Sequence, residues 1–215
     1  MRRDKKTAFG LRKRGHSYNS ISRKLGVSTS TLSVWFSKLS WSKELKQDLT
    51  KKAFEKVYPQ LKAMQEAHKK KWQDLRYQAR IEAKREFKIL RNNPLFISGV
   101  MLYWGEGDKK NKNSLRLANT DPALIKIYKN FLRKTCSVAE DKINVWLLLY
   151  PDLDEVECKK FWIDKAELRI NNFKKSMVIK GRHEHNRLSY GVCNINVHNS
   201  YLKEKMSEWI NLFSK

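Results

Sequence analysis

One carboxylate is conspicuous by its position. The stretch "SGVMLYWGEGDKK", residues 98–110, is almost uninterrupted apolar sequence that stops at Glu106, an acid set between two glycines and followed by lysines. At the last turn of a helix an acid meets the partial negative charge of the C-terminus, a penalty of roughly 0.3–1 kcal/mol. Burial would add a larger desolvation cost. A placement that costs stability points to a use.

A second group of residues is suited to contact rather than to bond making. Residues 15–42, "GHSYNSISRKLGVSTSTLSVWFSKLSWS", carry hydroxyls at Thr29, Ser30, Ser33 and Ser37. Hydroxyls can serve base edges or phosphates, so they specify no base. Arg12, Lys13, Arg14, Arg23, Lys24 and Lys38 surround them and can supply the sequence-independent attraction to phosphate.

Other reactive side chains form weaker patterns. His183 and His185 in "GRHEHNR" would share one face of a strand and so could ligate a metal, but the segment looks like a hairpin tip. His198 and Cys193 have no partner at ligand spacing. Cys136, Cys158 and Cys193 are far apart, odd in number and never in a C-x-x-C pair, which supports neither a disulfide framework nor a zinc ribbon. They are expected to pack as small hydrophobes. No phosphate loop, dinucleotide fingerprint or nucleophile elbow occurs, so no nucleotide cofactor is expected.

Composition sets the partner class. Among 215 residues, 46 Lys and Arg oppose 22 Asp and Glu, a net charge of +24, with a pI near 10.0. Such a field opposes compaction and attracts polyanions, so nucleic acid is the expected partner. No run of 18 apolar residues and no signal peptide is seen, so no membrane partner is expected and the protein should be soluble and cytoplasmic. The mean hydropathy of −0.70 suggests that part of the chain is extended and solvated.

That part is residues 43–92, which hold no glycine, one proline and many helix formers. One or two long helices are expected, interrupted near Pro59, forming a basic connector. Before it, residues 1–42 read as a helix-turn-helix module. Ser17 and Ser28 are placed to cap two short helices and Gly26 to break the first, while Ile21, Leu25, Leu32, Trp35 or Phe36 and Leu39 face inward.

After it, residues 93–215 form an α+β module. Asn93 and Pro94 start a helix through Glu106 that is apolar on almost every face and so is expected to be buried all round. Gly99, Leu102, Tyr103 and Glu106 share one stripe, with Ser98 and Gly105 allowing close approach. Strands are expected at 115–118, around Arg116, and at 143–150. A helix should start at Asp154, a hairpin should join "KKSMVIKGR" to "LSYGVCNINVHN", and a terminal amphipathic helix should follow.

Two resemblances follow from these residues. "ISRKLGVSTSTLSVWF" resembles the helix-turn-helix of resolvases and small bacterial regulators, which implies that the second helix enters the major groove with Thr29, Ser30, Ser33, Val34 and Ser37 outward. "LFISGVMLYWGEG" resembles the signature helix of the LAGLIDADG endonuclease family, with Glu106-Gly107 where that motif ends in Asp-Gly, and the likeness runs over residues 94–213. It implies an αββαββα domain whose saddle-shaped antiparallel sheet sits on duplex DNA, Arg116 included. A single-motif chain is expected to homodimerise through Ser98, Gly99, Leu102 and Gly105. Mg²⁺ or Mn²⁺ would lie between two Glu106 side chains and relieve their repulsion. Lys109, Lys110 and Lys180 would support developing phosphate charge.

The motif also departs from its family. Met101 stands at the central glycine position, the displaced glycine being Gly99, and Glu106 replaces the commoner aspartate. Regulators of the sporulation family couple a LAGLIDADG-like domain to a helix-turn-helix and have lost cleavage. Two functions are therefore carried forward: a metal-dependent DNA endonuclease, favoured by the retained acid, and a non-cleaving DNA-binding regulator.

Overall fold

The structure is a computed structural model, and it describes residues 3–179 and 188–215. Lys180, His183 and His185 lie outside the described residues. The chain divides into two compact units, Met1–Lys70 and Lys71–Lys215. The division falls inside the stretch read as a connector, and the start of the long helix belongs to the first unit. No helix among the described residues is long and apolar enough to cross a membrane.

The first unit is helical. It comprises α1 (Arg3–Lys13), α2 (Tyr18–Leu25), α3 (Thr29–Phe36) and the beginning of α4 (Ser40–Leu90). Ser17 caps α2 by accepting from the Ser20 amide, and Ser28 caps α3 by accepting from the Thr31 amide. Gly26 ends α2 at φ +66°, a left-handed conformation that a side chain disfavours. Ile21, Leu32 and Phe36 join Ala8, Leu11 and Val27 in one core. The α1 residues Ala8 and Leu11 have the spacing of one helical face, a signal too short to be decisive before α2 and α3 supply the apolar surface they cover.

α4 is a single helix, and Pro59 lies inside it. This corrects the expected interruption. Proline removes one hydrogen bond and crowds the preceding turn, at a cost of about 3 kcal/mol, but long runs of helix formers on both sides keep the helix intact. The second part of α4 is not a free strut either. Ala79 and Ala83 are fully buried, and Phe87 and Leu90 pack against the core of the second unit.

The second unit continues with α5 (Pro94–Glu106), β1 (Ser114–Asn119), α6 (Pro122–Asn130), β2 (Ile143–Leu149), α7 (Glu155–Ala166), β3 (Met177–Val178), β4 (Val192–His198) and α8 (Ser200–Phe213). The class is α+β, but the order is αβαβαββα rather than αββαββα. The four-stranded sheet runs β1-β4-β2-β3; β4 is antiparallel to β1 and β2, while β2 and β3 are parallel. The sheet is therefore mixed, not antiparallel. β3 and β4 do not form the expected hairpin, because β2 lies between them. Adjacency in sequence yields to burial: β4, with Cys193, Ile195 and Val197 buried, takes the centre, whereas Met177 and Val178 are exposed at the edge.

Alternation assigns the two sheet faces. Leu115, Leu117, Ile143, Val145, Leu147, Leu149, Cys193, Ile195 and Val197 enter the core with residues of α5, α6, α7 and α8. On the opposite face the register aligns Arg116, Asn196 and Asn144 in one row and Ala118, Asn194 and Trp146 in the next. None of these six joins the hydrophobic core.

Candidate functional site

α5 delivers Glu106 to an open cleft on that second face. Phe96, Gly99, Val100 and Tyr103 form the buried stripe of α5, whereas Met101 and Trp104 are exposed. The helix is thus not buried all round, and Ile97, Ser98, Met101, Trp104 and Gly105 line its outer side. Gly99 belongs to the inner side, which corrects its place in the expected dimer interface: a Cβ there would lie 2.0 Å from the Phe131 ring of the same chain. Leu102 packs against the same core and is half-buried. Ser98 and Gly105 remain on the outer side, and a Cβ on Gly105 would meet nothing.

The helix ends where Gly107 adopts extended geometry, φ −76° and ψ 150°. Glycine is needed there for space and not for a positive φ, since a Cβ would lie 2.5 Å from the Tyr103 carbonyl oxygen and ring. Gly107 bridges Leu117, and the Asp108 amide donates to the Arg116 carbonyl at 2.8 Å. These bonds fasten the helix end to β1. The resulting cleft, about 440 Å³, is lined by Glu106, Gly107, Asp108, Arg116, Ala118, Leu148 and Asn194.

Asp108 organises the turn. Its carboxylate accepts from the Lys110 and Asn111 amides at 3.0 and 3.3 Å and from the Arg116 guanidinium at 2.8 Å. Burial works against its ionisation, but the two amides and then Arg116 and Lys203 hold the carboxyl below its ordinary range. The Asp108 carbonyl accepts from the Tyr103 hydroxyl at 2.6 Å and from Lys203 Nζ at 2.9 Å. Lys203 is buried, which lowers its pKa although Asp108 opposes that shift. Burial likewise raises the Tyr103 phenol. Asn194 is 4% exposed, and its Nδ2 has no hydrogen-bond partner. That donor is closed off from solvent beneath the cleft floor, which makes it a local cost to stability.

The structure therefore brings together Glu106 and Arg116 and adds Asp108, Asn194, Tyr103 and Lys203. Sequence reasoning missed Asp108, Asn194 and Lys203, and it placed Tyr103 only on the helical stripe of Glu106. Asp108 stood two residues from Glu106, and the alternation of "CNINVH" could have placed Asn194 and Asn196 on one face. Lys203 lay in the terminal amphipathic helix and was assigned no role. Lys109 and Lys110 are exposed and do not line the cleft; Lys109 Nζ donates to the Gly105 carbonyl at the helix end. Among the described residues no group of three His, Cys, Asp or Glu could hold a metal ion.

The first unit has its own candidate face. Thr29, Ser30, Ser33, Val34 and Ser37 on or just after α3 are exposed, as are Lys13, Arg14, Arg23, Lys24 and Lys38. Ser28 Oγ and Ser30 Oγ lie 2.8 Å apart, and the Ser37 hydroxyl donates to the Val34 carbonyl at 3.3 Å. Val34, 74% exposed, presents methyl groups outward. Arg12 is a correction. It is 1% exposed, donates to Ser42 Oγ, the Ser42 carbonyl and the His16 carbonyl, and lies 4.5 Å from the Tyr18 ring centre. A guanidinium spent on these bonds is not available to phosphate.

Compared with models of protein families, with curated proteins and with solved structures, the chain matches none.

Proposed function

We propose that this chain binds duplex DNA and cleaves it as a homodimer of LAGLIDADG type. The observation that carries the reading is the delivery of Glu106, by the end of α5, into a cleft beside Arg116. That cleft opens on a sheet face of arginine, amides and Trp146, in a chain of net charge +24. Polyanion attraction supplies affinity, and side-chain amides supply donors and acceptors for base edges.

The outer side of α5 supports the dimer. Ile97, Met101 and Trp104 are apolar, Met101 and Trp104 are exposed, and Ser98 and Gly105 permit close helix contact. A second copy would bring a second Glu106. Asp108 is held by Arg116 and two amides, so each chain offers one acid for Mg²⁺ or Mn²⁺, which fits an ion shared between copies. When bound, the ion would supply Lewis-acid activation of water and charge stabilisation at phosphorus. Arg116, oriented by Asp108, would hold a phosphate oxygen. The exposed face of α3 would read the major groove beside the phosphate contacts of Lys13, Arg14, Arg23, Lys24 and Lys38.

One feature favours the second reading, a non-cleaving regulator: no lysine among the described residues lines the cleft. The two readings separate in one experiment. Duplexes selected by binding from a random pool are cloned into supercoiled plasmid and incubated with Mg²⁺ or Mn²⁺. The wild type should nick or cut them, and Glu106→Gln should bind equally but leave them intact. Equal cutting by both removes Glu106 from the chemistry, while site binding without cutting by the wild type selects the regulator.

A further inference from the structure

A second cleft lies on the same sheet face and shares Arg116 with the Glu106 cleft; it encloses about 260 Å³. Ser114 and Arg116 reach it from β1, Asn144 and Trp146 from β2, and Asn196 and His198 from β4. Lys174 joins them because its amide donates to the Val145 carbonyl at 2.7 Å, which holds the segment before β3 against β2. No carboxylate lines this cleft among the described residues.

Two of the lining side chains are deeply buried and yet unpaired. Ser114 is 2% and Asn196 3% exposed, and among the described residues neither side chain has a hydrogen-bond partner. Unlike Asn194 Nδ2, their polar atoms are not sealed away from the cleft. A ligand that enters can complete their bonds. Trp146 is half-buried and equally uncommitted: no aromatic ring or cation lies over its indole, and its Nε1 donates to none of the described residues. By contrast, Trp162 Nε1 donates to the Tyr190 carbonyl and Trp209 Nε1 to the Ala83 carbonyl.

Cations, amides, a hydroxyl and an open indole together complement a nucleotide. Arg116 and Lys174 suit its phosphate; Asp108 accepts from one Arg116 nitrogen, which leaves the others free to donate. Asn144 and Asn196 can answer the donors and acceptors of a base edge, and Trp146 can cover a base face. A base stacked in a duplex shows only its edges. To reach the buried Asn196 and lie on Trp146 it must leave the stack, and the cleft has room for one nucleoside but not for a base pair.

We propose that the Trp146 cleft takes a single unpaired nucleotide of the bound DNA, next to the phosphate held by Arg116. This rests on the reading that the sheet face meets DNA, and it narrows the substrate to duplex with a nucleotide that is extrahelical or readily extruded.

Fluorescence anisotropy of the full chain with three labelled DNAs tests the proposal: a perfect duplex, the same duplex with one extra unpaired nucleotide, and that bulge with an abasic residue in place of the nucleotide. The abasic bulge bends as easily but brings no base, so it separates base capture from DNA shape. The wild type should bind the base-bearing bulge at least about tenfold more tightly than the other two, because stacking on the indole is gained without the cost of unstacking. Trp146→Ala should reduce that preference to about threefold or less, and Trp146→Phe should retain most of it. Both variants should bind perfect duplex as the wild type does, which also shows that they are folded. Equal binding of the three DNAs, equal preference for both bulges, or a preference that survives Trp146→Ala overturns the proposal and leaves duplex binding intact. A wild type that binds none of the three overturns it together with the function on which it rests.

Discussion

Arg12→Met separates stability from binding at the most basic part of the chain. In the folded unit the Arg12 guanidinium donates at 3.0 Å to Ser42 Oγ, at 2.8 Å to the Ser42 carbonyl and at 2.9 Å to the His16 carbonyl. Methionine keeps an apolar stem of similar length but removes all three donors. Each hydrogen bond lost from the charged donor costs about 1 kcal/mol or somewhat more, and loss of the cation over Tyr18 adds about 0.5–1 kcal/mol. The sum is about 3–4 kcal/mol, which corresponds to a rise of two to three decades in the opening constant of the first unit. Hydrogen exchange reads this locally. Amides of α2 and α3 should exchange at least about 100-fold faster in the variant, while those of β2 and β4 keep their protection. If α2 and α3 exchange as in the wild type and affinity for DNA falls instead, Arg12 reaches phosphate and its reading as an internal clamp is wrong.

Two further perturbations address the second unit. Gly99→Ala drives a methyl into the Phe131 ring, which is fully buried, and should lower stability by about 1–3 kcal/mol. A reduced thermal midpoint without a primary change in mass is expected; an unchanged midpoint with altered mass would return Gly99 to an interface. Asp108→Asn tests linkage to pH. Because the folded carboxyl titrates below its ordinary value, Asp108 stabilises the folded state above about pH 4, and that contribution disappears as pH falls through the depressed value. The variant should therefore melt below the wild type near pH 7, and the gap should close in acid. A gap that fails to narrow, or that widens, as pH is lowered through the carboxylate range would refute the assignment.

Local chemistry was legible in the chain before any coordinates. Ser17, Ser28, Asn93 and Asp154 all cap helices as their positions suggest, because a short acceptor reaching an amide two or three residues on is a local event. The α2-turn-α3 core, the exposed α3 hydroxyls and the end of α5 at Glu106 were readable for the same reason. Alternation also identified β1 and β2, since burial of one strand face leaves a period of two.

Long-range pairing decided the remainder. Two strands adjacent in sequence are separated in the sheet because β4 buries more apolar surface at the centre than β3 could. Arg12 looks like a surface cation until Ser42, thirty residues away, receives it. Nothing near Lys203 in sequence points to the Asp108 carbonyl ninety-five residues away that receives it. Periodicity shows which side of α5 packs only when its neighbours are known, so Gly99 was assigned outward and is held inward by Phe131. The sequence alone determined that an acid would end an apolar helix in a strongly basic chain. Only the tertiary structure placed that acid beside Arg116, Asp108 and Asn194, because burial and hydrogen bonding across distant segments carry no local signature.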